Sequence, residues 1–464
     1  MSSTFGSLST ALSALTYSRA AMDVASGNIA NANTDGYTRR RIEAAATGAP
    51  TAPAMWSRYD GHGDGVTVTG VTRMTDELLV ARTRTEHAQQ SLADVSQSGL
   101  QDLESAVSEP SSSGVSAALS DFRSAWHDVV NNPGPGSSAR NVVLARAQAL
   151  AAAISTQTRA VADTMTSQGQ RLQSTVGETN SVTAGLADTN TAIAAGKVGG
   201  ADVSDLLDIR DRLTLRLSEL TGATVTLRPD GQADVSLGGV PLVQGPKAST
   251  LAIASGVSVS GTPDGSAVTF AVTAPGGLVT SLDTISAGDA GGSVKLLGVT
   301  LPAYQQGLDA VARQLADTVN AQHQAGYDAA GNPGTAVFAY DPTSPASSLT
   351  VAITDPSLIA ASSVPGGGTD AGNADALASA AGVDGLYRQL VTGLGTSVQS
   401  AQRAATNQQV LTNQFDNARE QQAGVNIDEE TVSMMQNQRA YEAAAKVIST
   451  IDSVLDTLIN RMLS

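Results

Sequence analysis

The side chains able to do chemistry in this sequence are few and scattered. Four histidines stand at His62, His87, His127 and His323, and no two of them have the spacing of a helical metal pair. Gly61-x-Gly-x-Gly65 lacks the preceding strand and the spacing of a dinucleotide fingerprint and reads as a turn. Asp328-Ala-Ala-Gly-Asn-Pro-Gly334 lacks the alternating carboxylates and terminal Glu of a calcium loop and reads the same way. With no cysteine in 464 residues there is no thiolate zinc site, iron–sulfur cluster, disulfide or cysteine nucleophile. Neither a P-loop nor a GxSxG elbow occurs, and the 43 acidic residues are too dispersed to nominate an acid–base couple. The expectation is therefore no catalytic residue, no cofactor and no metal. Arg39-Arg40-Arg41 is the one basic run; in a chain of net charge −16 it reads as an interface or solvated patch, with no nucleic acid as partner. No stretch approaches the roughly 18 apolar residues of a membrane span, so no membrane is expected either.

The elements that remain must carry the function, and the two ends have the clearest periodicity. Leu8, Leu15, Met22 and Ile29 recur every seven residues, with Phe5 and Leu12 filling an intermediate seam that continues as polar Arg19 and Ser26. At the other end Ile427, Met434, Tyr441, Ile448, Leu455 and Met462 form one heptad position, and Ala444, Ile451 and Leu458 its partner, preceded by Glu430 and Asn437. Neither Gly nor Pro interrupts 427–464; Asn426 is placed to cap this helix, with Glu429 at its third position. At 1.5 Å per residue it is about 55 Å long. A stripe so narrow on a helix so long needs partner helices, of which the first is the N-terminal helix of the same chain. The N-terminal stretch is spaced like an amphipathic helix, so no cleaved signal peptide is expected.

Between the ends, Asn28 to Tyr37 closes the first helix and opens an extended segment; 42–60 is aperiodic with Pro50 and Pro53, and Val66-Thr-Val68 alternates as a short strand. Helices are predicted over about 75–108, 115–131, 138 to beyond 190 and 202–220, with bends in the third at Gly169, Gly177 and Gly185. Composition shifts at Thr221: residues 221–300 hold 14 Gly and eight charged residues, in short Val/Thr/Ser alternations punctuated by turns. Helical pattern resumes at about 302–324 and 373–423, with a loop-rich stretch and a short strand at Leu349–Ile353 between them. The fold class is mainly α with an inserted all-β domain. Residues 1–37 plus 425–464 are expected to form one terminal coiled-coil unit, 38–220 plus 301–424 a mainly helical one (38–74 an extended linker), and 221–300 a small β-rich one. An aromatic content of 3% fits close-packed aliphatic helices better than a deep ligand pocket.

Several segments carry a resemblance. Asn28-Ile-Ala-Asn31-Ala-Asn33-Thr34-x-Gly36-Tyr37-x-Arg39 is similar to the N-terminal signature shared by rod, hook and hook-associated proteins of the bacterial flagellum. Four further stretches resemble the hook-associated protein 1 family in particular. They are Gly63-Asp-Gly65-Val66-Thr-Val68 continuing to Arg73 and Asp76, and Asp205-Leu-Leu-Asp208-x-Arg210-Asp211-x-Leu213 with Val235-Ser-Leu-Gly-Gly239-x-Pro-Leu-Val243. The others are Leu301-Pro-Ala-Tyr304 with Val319-Asn-Ala-Gln-His323-x-x-Gly-Tyr-Asp328, and Gly424-Val-Asn-Ile-Asp-Glu-Glu430 with Gln438-x-Ala-Tyr441-x-Ala-x-Ala-Lys446-Val-Ile448. Arg40 stands where the family commonly has Gln, and Asp35 where Pro is frequent.

The resemblance implies a structural subunit, not an enzyme, that polymerises through paired terminal helices into the first hook–filament junction ring and joins the flexible hook to the rigid filament. The implied partners are neighbouring copies, the hook protein, the second junction protein (hook-associated protein 3) and an export chaperone at the C-terminal helix. It implies export through the flagellar type III apparatus to the extracellular flagellum. The heptad residues Phe5, Leu8, Leu12, Leu15, Met22, Ile29, Met434, Tyr441, Ala444, Ile448, Ile451, Leu455, Leu458 and Met462 are the expected assembly interface, with 1–37 and 427–464 folding on assembly. Alternatives are another axial component (the second junction protein or a hook-type protein), a secreted hydrolase on a helical scaffold, or an adhesin. The β insert, with no His and Phe270 as its single aromatic, makes a catalytic site hard to build.

Overall fold

The computed structural model describes residues 2–47, 65–134, 136–366, 368–380 and 382–462, and for 2–5 and 458–462 the backbone alone. The predicted loop around Pro50, Pro53 and Gly61–Gly63, with His62, lies outside the described residues. A first helix, α1 (Ser2–Ala30), leads into an antiparallel ribbon of β1 (Arg40–Thr47) and β2 (Gly65–Arg73). Four helices follow: α2 (Glu77–Val107), α3 (Val115–Asn131), α4 (Ser138–Val198) and α5 (Ser204–Thr221). Asp76 starts α2 by accepting the Leu78 and Leu79 amides on its carboxylate.

The insert is two meanders. One runs β3 (Thr224–Leu227), β4 (Ala233–Leu237), β5 (Val240–Gln244), β6 (Lys247–Ala248); the other β7 (Thr250–Ser255), β8 (Thr269–Thr273), β9 (Val279–Leu282). Helix returns with α6 (Gly288–Lys295), which passes through a π turn at Leu296–Thr300 into α7 (Leu301–Gln324). A short pair, β10 (Phe338–Ala339) and β11 (Thr350–Val351), flanks α8 (Pro345–Ser348) and precedes α9 (Gly372–Ala378). The chain closes with α10 (Gly382–Ala423) and α11 (Ile427–Met462).

Three elements differ from the sequence reading. β1 is a strand although RRIEAAAT shows no alternation, because most of its residues are exposed and its register is set by β2. Helix resumes at Gly288, well before 302. There Gly292 packs so tightly on α2 that a Cβ would lie 2.7 Å from that of Val95, so packing overrides the poor helix propensity of Gly-Asp-Ala-Gly-Gly. And α4 runs as one 61-residue helix through all three glycines. At Gly169 a Cβ would sit 1.9 Å from the Gly261 carbonyl oxygen, so the glycine lets the β insert lie against the helix. Gly169→Ala should therefore displace the 256–265 loop and cost about 1–3 kcal/mol, read as a lower midpoint in chemical denaturation. An unchanged midpoint would contradict this contact.

One continuous core joins the helical body to the insert. Leu103, Leu150, Ile154, Leu172 and Leu186 are fully buried in the helices, and Val235, Leu242 and Phe270 in the sheets. Three of the scarce aromatics meet within it: Phe122 meets Trp126 edge-on at 6.1 Å and Phe338 at 5.8 Å, and Trp126 meets His323 at 6.2 Å. His323 is buried, with Nδ1 2.6 Å from the Thr335 carbonyl and Nε2 accepting from the Ala360 amide at 2.9 Å. One ring nitrogen thus donates and the other accepts, which fits a neutral imidazole; burial first of all pushes its pKa down.

Candidate functional site: the joint between the terminal helices and the helical body

The terminal helices lie along each other, as their heptads predict, but α1 uses a different second position. Ala11, Ser18 and Ala25 are buried, flanked by half-buried Leu8, Leu15, Met22 and Ile29. Leu12, expected in the seam, is 59% exposed. The small side chains of 11, 18 and 25 let the helices approach closely, whereas a leucine there would hold them apart. On α11 the seam follows the predicted register from Glu430 onward, while Ile427 is 48% exposed. Glu430 and Ala444 are buried and Met434, Asn437, Ile448, Ile451 and Leu455 half-buried, while Tyr441 lies at the exposed margin. The side chains of Phe5, Leu458 and Met462 lie outside the described residues.

At the end of α1 the Asn-rich signature builds a turn around one buried amide. The Asn31 amide closes the helix on the Gly27 carbonyl at 3.1 Å while its Nδ2 donates to the same oxygen at 2.9 Å. Thr34 Oγ1 donates to Asn31 Oδ1 at 3.2 Å, Gly36 takes the left-handed φ of 75° that glycine tolerates, and Tyr37 donates its amide to Thr34. Asn33 is exposed. The reversal brings Arg40 back over Asn28, which is 0% exposed. Asn28 Nδ2 donates to the Arg40 carbonyl at 2.9 Å and to Glu430 Oε2 at 3.0 Å; its Oδ1 accepts the Arg40 amide at 3.0 Å and the Tyr37 hydroxyl at 2.9 Å. An asparagine amide has two donor hydrogens and two acceptor lone pairs, and all four are used.

Arg39 carries the link onward. Its amide donates to the Ala423 carbonyl at the end of α10 (2.8 Å) and its carbonyl accepts from Met74 just before α2 (2.8 Å). Its guanidinium grips the first turn of α11, Nε to Glu430 at 2.7 Å and a terminal nitrogen to Glu429 at 3.0 Å. Asn426 caps α11 as predicted, accepting the Asp428 amide at 3.0 Å, while the Glu429 carboxylate takes Arg39.

Arg40 and Arg73 face each other across the ribbon, an unfavourable pairing on its own. The stripe Asp205, Asp208 and Asp211 on α5 compensates. Arg40 bonds Asp205 and lies 3.1 Å from Asp208; Arg73 lies 2.8 Å from Asp208 and 2.6 Å from Asp211. Burial works against the Arg40 charge, yet the hydrogen bonds to Asp205 and Asp208 outweigh it and raise its pKa; Tyr37, with the Arg40 guanidinium 4.8 Å above its ring, is raised chiefly by burial. The basic run therefore divides: Arg39 and Arg40 are committed to intrachain partners and Arg41 is exposed. Sequence reasoning noted these segments separately and missed their contact. The available signal was the i, i+3, i+6 spacing of three aspartates on one helix face, matching a basic run elsewhere.

Among the described residues no cluster of His, Asp and Glu could hold a metal ion, and no helix is long and apolar enough to cross a membrane. What the joint can do is mechanical: one buried amide and a charge ladder lock both chain ends to the body.

The two ends of the chain lie along each other as a paired helical rod on the helical body. The family model described as the flagellar hook-associated protein FlgK helical domain matches residues 100–338, so the chain belongs to the flagellar hook-associated protein FlgK family. It is a flagellar axial junction protein and a structural component of the flagellum. Two other models match the ends: flagella basal body rod protein over 8–38, and flagellar basal body rod FlgEFG protein C-terminal over 417–462. Flagellar hook-associated protein 1 of Bacillus subtilis is 28% identical over 100% of this chain and 99% of its own, and that of Escherichia coli 23% identical over 98% and 99%. The flagellar hook junction protein FlgK from Burkholderia pseudomallei shares the fold, with a TM-score of 0.64 at 18% identity over 73% of this chain and 99% of that one.

Proposed function

We propose that this chain forms the first hook–filament junction ring, connecting the flexible hook to the rigid filament, and that its part there is structural, not catalytic. The observation that carries the reading is the α1–α11 pair itself. It buries a seam of small residues within one chain, yet leaves Leu12, Val432, Met435, Val447 and Val454 about half exposed along its outer faces. An exposed stripe of that length on a helical rod is suited to the helices of neighbouring copies. On this reading residues 1–37 and 425–464 are the inner domain, 38–220 and 301–424 the middle domain, and 221–300 the outer one. The heptad residues carry assembly, and the terminal helices become fully ordered on incorporation.

Hook protein on one side and the second junction protein on the other are the neighbours this role requires. The C-terminal helix is the segment an export chaperone would cover, and passage through the flagellar type III apparatus is the route to the flagellum. The likeness of both ends to rod and hook families supports self-association and contact with hook components.

Deleting 1–37 or 427–464 in cells tests the assignment: hooks should persist while filament subunits are shed into the medium. Normal attached filaments would overturn it. Ile451→Asp or Leu455→Asp should block incorporation without lowering the melting temperature of the body, and normal incorporation of both would remove the seam from the interface.

A further inference from the structure

His87 lies on α2, half-buried between two carboxylates from two other helices. Its Nδ1 is 3.2 Å from Glu219 on α5, and its Nε2 is 3.0 and 3.1 Å from the two oxygens of Asp416 on α10. Only an imidazolium can donate from both nitrogens; a neutral ring must turn one lone pair toward a carboxylate. His323, with one carbonyl and one amide as partners, is the internal contrast. Because the carboxylates approach opposite ring nitrogens, they cannot converge on one ion.

The segment of α10 held by this contact lies along α2 with few fully buried side chains of its own. Its N-terminal half buries Val383, Tyr387, Leu394 and Val398, whereas beyond residue 400 only Ala405 and Thr412 are buried. Its side-chain bonds to α2 include Gln408 Nε2 to Glu86 Oε2 at 2.8 Å and Thr412 Oγ1 to the Glu86 carbonyl at 3.4 Å, and Arg82 lies over the Phe415 ring at 5.4 Å. The same end of α10 delivers the Ala423 carbonyl to Arg39 and continues into α11.

We propose that His87 is a proton-operated clamp: charged, it ties α10 to α5 across α2 and fixes the helix that carries the C-terminal rod; neutral, it serves one carboxylate and releases the other. The other charged groups around it have partners of their own. On its own helix Glu86 is engaged by Arg82 at 2.8 Å. On α5, Glu219 is shared with Arg216 at 3.0 Å, and Arg216 reaches Glu178 of α4 at 2.7 Å. Asp289 of α6 stands in the field of Arg171 and Arg216, its carboxyl raised by burial. On α10 the facing charge is Asp416. The Glu219 hydrogen bond, the largest influence, and that of Asp416 together raise the His87 pKa against the opposing effect of burial. The sign follows: the ordinary value is 6.5, so the clamp is at full strength below it and is lost as pH rises through the raised value of the folded protein.

Hydrogen exchange of 405–420 in the full chain, corrected for intrinsic rates, tests this between about pH 5.5 and about pH 8.5. Protection of this segment should fall several-fold across the range. His87→Gln, which cannot charge, should show the weaker protection throughout, and His87→Arg, which is always charged, the stronger protection throughout. Peptides from α7, which contains His323, serve as control, since a global effect of that buried neutral ring destabilises toward acid, the opposite direction. A flat profile in the unaltered chain, or an undiminished fall in His87→Gln, would overturn the proposal.

Discussion

Asn28→Ala should abolish stable filament attachment while leaving the helical body as stable as before. The substitution removes four hydrogen bonds from a fully buried position. It strands both backbone groups of Arg40 and withdraws a partner from Glu430. At roughly 1–3 kcal/mol for each buried group left without a partner, the joint should lose about 3–5 kcal/mol. The body core does not include Asn28, so thermal melting followed by the helical signal should move little. Asn28→Asp separates the amide donors from the volume they fill: it keeps the shape and sets a carboxylate about where Nδ2 lies 3.0 Å from Glu430. It should be no better than alanine. Normal numbers of attached filaments in either variant would show that the amide is dispensable.

The second large effect belongs to the body. Trp126 is completely buried, in edge contact with Phe122 and His323. Trp126→Ala should cost about 3–5 kcal/mol through lost burial and a cavity, seen as a lower midpoint in urea unfolding followed by circular dichroism. A shift under about 1 kcal/mol would mean that the cluster repacks.

How much of this was legible depended on where the information resides. The long helices and the β insert announced themselves because each repeats its period over several turns or strands. The α11 seam was readable for the same reason. The α1 seam was misread at Leu12 because heptad counting favours large apolar residues, while the close approach of the two helices selects Ala11, Ser18 and Ala25. Helix α6 was invisible because its glycines serve close packing, Gly292 against Val95 and Gly288 against the end of α5, a tertiary cause that no local period records. At the joint the motifs were visible and their meeting was not. Asp205, Asp208 and Asp211 mark a charged helix face, but only the fold sets Arg40 and Arg73 opposite it.

The bond between Asn28 and Glu430 spans 402 positions of sequence. A chain made from its N-terminus onward presents Asn28 early and must wait for nearly everything else before the amide can be satisfied. Its bonds to Arg40 and Tyr37 are local, but until α11 arrives one Nδ2 hydrogen has no protein partner, a donor costly to bury and therefore kept in water. Closure of the joint is thus a test of completeness: a product cut short before residue 430 retains the seam residues of α1 but cannot finish the lock. Such a fragment should compete poorly for places in an ordered array, so quality control of the subunit is written into one side-chain amide.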